Sequence, residues 1–120
     1  MPKQEKTFAG AELTQRLSSL PGWTEKDGAI ERTYATDGWP TTLMLVNAIG
    51  FIAEAADHHP DLAVSWGSVT VRLNTHSAGG ITAKDLELAQ AVESQALWRP
   101  TGGSLTGTSK KWVSAKPTTA

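Results

Sequence analysis

The chain has 120 residues, enough for one domain with a modest core. Its 11 basic and 12 acidic residues nearly cancel, which excludes a basic field for nucleic acid and an acidic tail. Cysteine is absent, excluding disulfides and thiolate chemistry; residues 1–10 lack a signal-peptide core and no apolar run nears the roughly 20 residues of a membrane span, so a soluble cytoplasmic protein is expected.

Residues 1–9 read as a flexible lead. Ala9, Leu13, Leu17 and Leu20 recur at helical steps, which predicts a helix of about three turns stopped by Pro21-Gly22. Trp23 opens a strand over 23–26, Asp27-Gly28 is a hairpin dipeptide, and Ile30, Arg32 and Tyr34 alternate along a second strand over 29–36. Asp37-Gly38-Trp39-Pro40 starts a helix to about residue 56. This helix is apolar around much of its circumference and is expected to be well buried, with Gly50 a point of close packing on the sheet. Pro60 forces a break at Asp57-His58-His59. Leu62 to Trp66 and Val69 to Asn74 form a second hairpin about Gly67-Ser68. After the bend Ser77-Ala78-Gly79-Gly80, Thr82 and Asp85 make a variant of the capping box, and a helix continues to about Leu97. The sequence thus predicts an α+β fold in the order α-β-β-α-β-β-α, a four-stranded antiparallel sheet with helices packed on one face. One domain spans 10–97, and 98–120 is an extension that is mostly irregular, with a basic-aromatic run at Lys110-Lys111-Trp112-Val113.

All three histidines, His58, His59 and His76, fall within 19 consecutive residues. An unperturbed imidazole titrates near pH 6.5, which makes it both a proton carrier and a metal ligand. A metal site is disfavoured: neighbouring histidines point apart when extended, and the spacings zinc uses are absent, although Asp57 and Asp61 could add oxygen ligands. A serine nucleophile is disfavoured as well, because Ser65, Ser68 and Ser77 lie in no nucleophile elbow. General acid–base chemistry without metal remains, with Glu54, Asp57 and Asp85 as the carboxylates at hand. Glu54 and His58 stand four apart at one helix end, a spacing that puts them on a shared face. Asp85 reads more readily as a helix cap than as a catalytic group.

Glu54-x-x-x-His58-His59-Pro60, then Trp66, Thr75-His76 and Asp85, resembles the signature of the pterin-4a-carbinolamine dehydratase family. Gly22-Trp23, Val46-Asn47, Ala53-Glu54 and Gly79-Gly80-Ile81-Thr82 look like bacterial members, and the likeness covers about residues 10–97. The resemblance implies loss of water from a 4a-hydroxytetrahydropterin to give the quinonoid dihydropterin, recycling the pterin used by aromatic amino acid hydroxylases. It implies no metal and no cofactor, the pterin being substrate, and assembly through the sheets into a homodimer or homotetramer. It assigns His58 and His76 as the acid–base pair and His59 as an assisting group. Glu54, Asp57, Pro60, Thr75 and Asp85 would bind or orient.

Positions often aromatic in relatives are Trp39, Thr42, Leu43 and Leu45 here, and an aromatic after His-His-Pro is replaced by Leu62-Ala63. The extension passes the usual family end, and three roles are open to it: covering the pocket, packing on a neighbouring subunit, or binding another protein. Some relatives act instead as RuBisCO assembly factors or as dimerisation cofactors of transcription factors. The assembly factors tend to lose His-His-Pro, which this chain keeps, so the enzyme is the favoured reading.

Overall fold

Helical and alternating periodicities translate into nine elements of the computed structural model, which describes residues 5–110 and 112–114. They are α1 (Gly10–Leu17), β1 (Thr24–Lys26), β2 (Ala29–Thr36), α2 (Trp39–Ala56), β3 (Asp61–Ser65), β4 (Ser68–Leu73), a 3₁₀ turn (His76–Ala78), α3 (Ala83–Ala96) and β5 (Val113–Ser114). The four expected strands form one antiparallel sheet in the order β1-β2-β4-β3, and β5 adds a fifth strand by pairing with β2.

Strand alternation sets the layers. Ile30, Arg32 and Tyr34 of β2 and Val69, Val71 and Leu73 of β4 point to one face and are buried beneath the helices. The opposite face carries Glu31, Thr33, Thr70 and Arg72, with Thr33 Oγ1 and Thr70 Oγ1 2.7 Å apart and Arg72 Nη1 3.2 Å from Glu31. The Asp27-Gly28 turn has both residues at positive φ, 51° and 80°, as a two-residue hairpin loop needs. The second hairpin turns one residue earlier than predicted, at Trp66-Gly67, because Ser65 pairs with Ser68.

Arg32 is 5 % exposed within the apolar layer, so its charge needs partners. Its Nε lies 3.0 Å from Glu93 Oε1 of α3, and its Nη1 donates to the Pro21 carbonyl at 2.9 Å. The same Glu93 oxygen accepts from Trp23 Nε1 at 3.0 Å and from the Tyr34 hydroxyl at 2.6 Å. Burial, and then this bond to Glu93, raise the Tyr34 hydroxyl well above its ordinary range. Gly22, at φ 90°, leaves the room the guanidinium occupies: a Cβ there would fall 1.2 Å from Arg32 Nη1.

Four expectations change. The first helix has eight residues, because Ser18 and Ser19 hydroxyls bond back to the Gln15 and Arg16 carbonyls and the chain leaves in tight turns. Residues 5–9 of the lead are held in place: Phe8 is buried and its N–H donates to the Ile81 carbonyl at 2.8 Å. Helix α2 is not buried all round, since β-sheet and α3 cover two sides and leave Leu43, Met44 and Phe51 exposed. Gly50 is exposed and a Cβ there would meet open space, so it is no packing point. Thr42, in place of an aromatic, is a fully buried tie: its hydroxyl lies 2.6 Å from Thr36 Oγ1 and donates to the Trp66 carbonyl at 2.8 Å.

The extension packs on its own chain. β5 pairs with the end of β2, Arg99 Nη2 donates to the Val113 carbonyl at 2.5 Å, and Asp37 N–H donates to the Trp112 carbonyl at 3.2 Å. Trp112 and Val113 lie with Met44, Leu45, Ala48, Gln95 and Ala96 around a cavity of about 190 Å³. Lys111 and residues 115–120 lie outside the described residues, as do Met1–Gln4.

Candidate active site

Helix α2 ends where Pro60 predicts. Asp57 takes the left-handed conformation, φ 54°, which Asp tolerates better than most residues. Its N–H and that of His58 close the helix on the Glu54 and Ala53 carbonyls at 3.2 Å. This turn lifts His58 off the helical path and aims its ring at the start of α3.

There His58 Nε2 lies 2.6 Å from Asp85 Oδ1; the imidazole is 14 % exposed and the carboxylate 0 %. The other carboxylate oxygen, Oδ2, accepts from the Thr75 hydroxyl at 2.8 Å and from the Thr82 N–H at 2.9 Å. Thr75 and Thr82 hydroxyls are themselves 2.7 Å apart, and both residues are buried. Asp85 is therefore the capping-box acid of α3 and also the partner of His58. A carboxylate accepts only, so Nε2 carries the proton and Nδ1 is the imidazole nitrogen left for chemistry.

His76 opens the 3₁₀ turn one residue after Thr75, exposed, with no side-chain hydrogen bond among the described residues. The Thr75 backbone is fixed by its bridge to Gly80, its N–H donating to the Gly80 carbonyl at 2.8 Å. His58, Thr75, Thr82 and Asp85 thus form one hydrogen-bonded cluster, with His76 adjoining it in the chain. His59 stands apart: its Nε2 pairs with Glu54 Oε1 at 2.8 Å on the open surface. Glu54 thus pairs with His59, five residues on, and not with His58 at the i,i+4 position, because His58 has left the helix. Asp57 acts as the helix cap and Pro60 as its stop.

A cleft of about 220 Å³ between α2 and α3 is lined by Ile52, Ala56, His58, Lys84, Glu87, Leu88 and Ala91. His59 and His76 are not among its lining residues. Nothing local in the sequence sets Lys84 apart from a surface lysine. Among the described residues, no three His, Asp or Glu side chains converge as metal ligands. No helix among them is long and apolar enough to cross a membrane. The extension docks on the N-terminal half of α2, about 15–25 Å along that helix from His58 at 1.5 Å per residue. None of its described residues is among those lining the cleft.

A family profile described as Pterin 4 alpha carbinolamine dehydratase matches residues 6–95. A relative from Roseiflexus castenholzii is 42% identical over 83 residues, 69% of this chain and 89% of its own length. One from Aquifex aeolicus is 45% identical over 82 residues, 68% of this chain and 83% of its own. Both are provisionally named pterin-4-alpha-carbinolamine dehydratases. Among solved structures, a transcriptional coactivator/pterin dehydratase from Brucella melitensis aligns with TM-score 0.70 and 28% identity, covering 74% of this chain and 97% of that one. A pterin dehydratase-like RuBisCO assembly factor of the alpha-carboxysome shares the fold, with TM-score 0.53 and 16% identity, covering 62% and 87%. The α+β fold, the His58–Asp85 cluster and these matches define a pterin-dehydratase-like domain. The chain belongs to the pterin-4-alpha-carbinolamine dehydratase family.

Proposed function

We propose that the chain dehydrates a 4a-hydroxytetrahydropterin to the quinonoid dihydropterin by histidine general acid–base catalysis, and so recycles a tetrahydropterin. The observation that supports this most is the 2.6 Å bond from His58 Nε2 to the buried Asp85 carboxylate. It favours one tautomer at a ring that lines the cleft, while the exposed His76, one residue after Thr75 of the same cluster, supplies a second proton carrier. In the reaction the C4a–O bond breaks as the hydroxyl is protonated, N5 loses its proton, and water leaves; His58 and His76 divide those two transfers. His59, with Glu54, assists at the rim, and Thr75 and Asp85 orient. The scheme routes no step through a metal or cofactor.

The bared side of α2 and the edge strand β3 support self-association of this enzyme into a homodimer or homotetramer. The retained His58-His59-Pro60 weighs against a purely binding role. The test is conversion of a 4a-hydroxytetrahydropterin, generated in situ, followed by absorbance against the spontaneous rate. Acceleration supports the enzyme; a rate equal to the spontaneous one refutes it.

A further inference from the structure

Residues 5–8 cross the segment that carries Asp85 and touch it at three stations. Glu5 Oε1 lies 2.6 Å from Lys84 Nζ, a short charge-assisted contact. The Phe8 N–H donates to the Ile81 carbonyl at 2.8 Å, and the two residues form an antiparallel bridge. Thr7 packs on Gly80, where an added Cβ would come within 3.3 Å of Thr7 Cγ2. The arm has its own anchorage: Phe8 is in the core, with Arg16 above its ring, and Lys6 pairs with Glu12 at 3.0 Å. The second oxygen of Glu5 is shut away from water. Lys84 holds the Glu5 carboxyl below its usual range against the opposing pull of burial, and Glu5 in turn raises Lys84.

These contacts converge on the stretch from Gly80 to Lys84, which includes Thr82, a donor to Asp85 through its backbone N–H. His76 lies just before that stretch and Asp85 just after it. We propose that Glu5 is a positioning residue of this site: through Lys84 it holds the first turn of α3, and so keeps Asp85 against His58. The role in turnover rests on the dehydratase reading; the positioning itself does not.

The test uses the full chain without pterin. Glu5→Gln, Lys84→Gln and their combination are compared by amide exchange at Thr82 and Asp85 and by the His58 Nε2–H proton resonance. Each single change is expected to speed exchange about three- to fivefold and broaden that resonance. The combination is expected to fall short of the sum of the singles, since Glu5 and Lys84 act through one shared ion pair. Lys26→Gln, on the exposed strand β1 away from the arm, leaves both readouts unchanged. If turnover is also found, Glu5→Gln lowers kcat with KM held. Unchanged exchange in Glu5→Gln, or effects that simply add in the combination, overturns the proposal. Absent turnover with these exchange effects present would count against the dehydratase reading alone.

Discussion

Replacing Asp85 separates its two jobs. Its carboxylate takes three hydrogen bonds, from His58 Nε2, Thr75 Oγ1 and the Thr82 N–H, at 2.6, 2.8 and 2.9 Å, with no exposure to water. Asp85→Ala removes the cap, worth about 1 kcal/mol. It also strands the buried Thr82 N–H, at about 1–3 kcal/mol, and deletes a bond to a charged group worth about 1.5–3 kcal/mol. Allowing for overlap, the loss is about 3–5 kcal/mol, or a Tm fall of about 12–20 °C for a domain of this size. Asp85→Asn keeps the shape and can still accept from Thr75 and Thr82 through its oxygen. Its NH₂ then faces His58 Nε2, which must become an acceptor, so the imidazole proton moves to Nδ1. Stability falls by only about 1–2 kcal/mol. The tautomer is inverted, and turnover falls roughly 10²–10⁴-fold, the range seen when a histidine loses its orienting carboxylate. Thermal unfolding by circular dichroism gives the first quantity, and long-range ¹⁵N–¹H spectra of the imidazole read the tautomer directly. An Asp85→Asn protein that keeps the proton on Nε2 and turns over normally would refute the reasoning.

Other outcomes follow from the same geometry. The Tyr34 hydroxyl, raised above its ordinary 10.0, keeps its proton after the unfolded chain has released one. Its contribution is complete below about pH 10 and declines above it by up to about 1.4 kcal/mol per pH unit; urea unfolding of Tyr34→Phe should show a flatter alkaline decline, and an equal slope contradicts this. A chain ending at Leu97 loses Val113 from the core and Trp112 from beside it and should be about 2–4 kcal/mol less stable while turning over at the full-length rate; faster turnover on truncation would mean that the extension occludes the site. Gly50→Ala, on an open helix surface, should add about 0.5–1 kcal/mol to unfolding free energy in a denaturant titration.

Much of this was legible in the sequence because it is local. The Asp27-Gly28 turn, the stop at Pro60 and the Thr82–Asp85 box each depend on residues within a few positions. What stayed hidden depends on long-range pairing. Arg32 looked like one more member of an alternating strand, and only Glu93, brought across from α3, makes its burial tolerable. Glu54 sat at the right spacing for His58, but the left-handed turn at Asp57 breaks the helical geometry on which that spacing relies. The lead looked structureless because Phe8 gains its partner, Ile81, from the far half of the chain. The Thr82–Asp85 spacing by itself marks Asp85 as a cap, which it is; its bond to His58 forms only because α2 delivers that ring to it.

The central claim is that His58 and His76 carry the proton transfers of pterin dehydration. Dehydration of a 4a-hydroxytetrahydropterin by His58→Ala and His76→Ala, each checked for an unchanged fold, tests it most directly. The account predicts that each falls at least about 10²-fold below the unaltered chain. Turnover at the unaltered rate in both variants would contradict it.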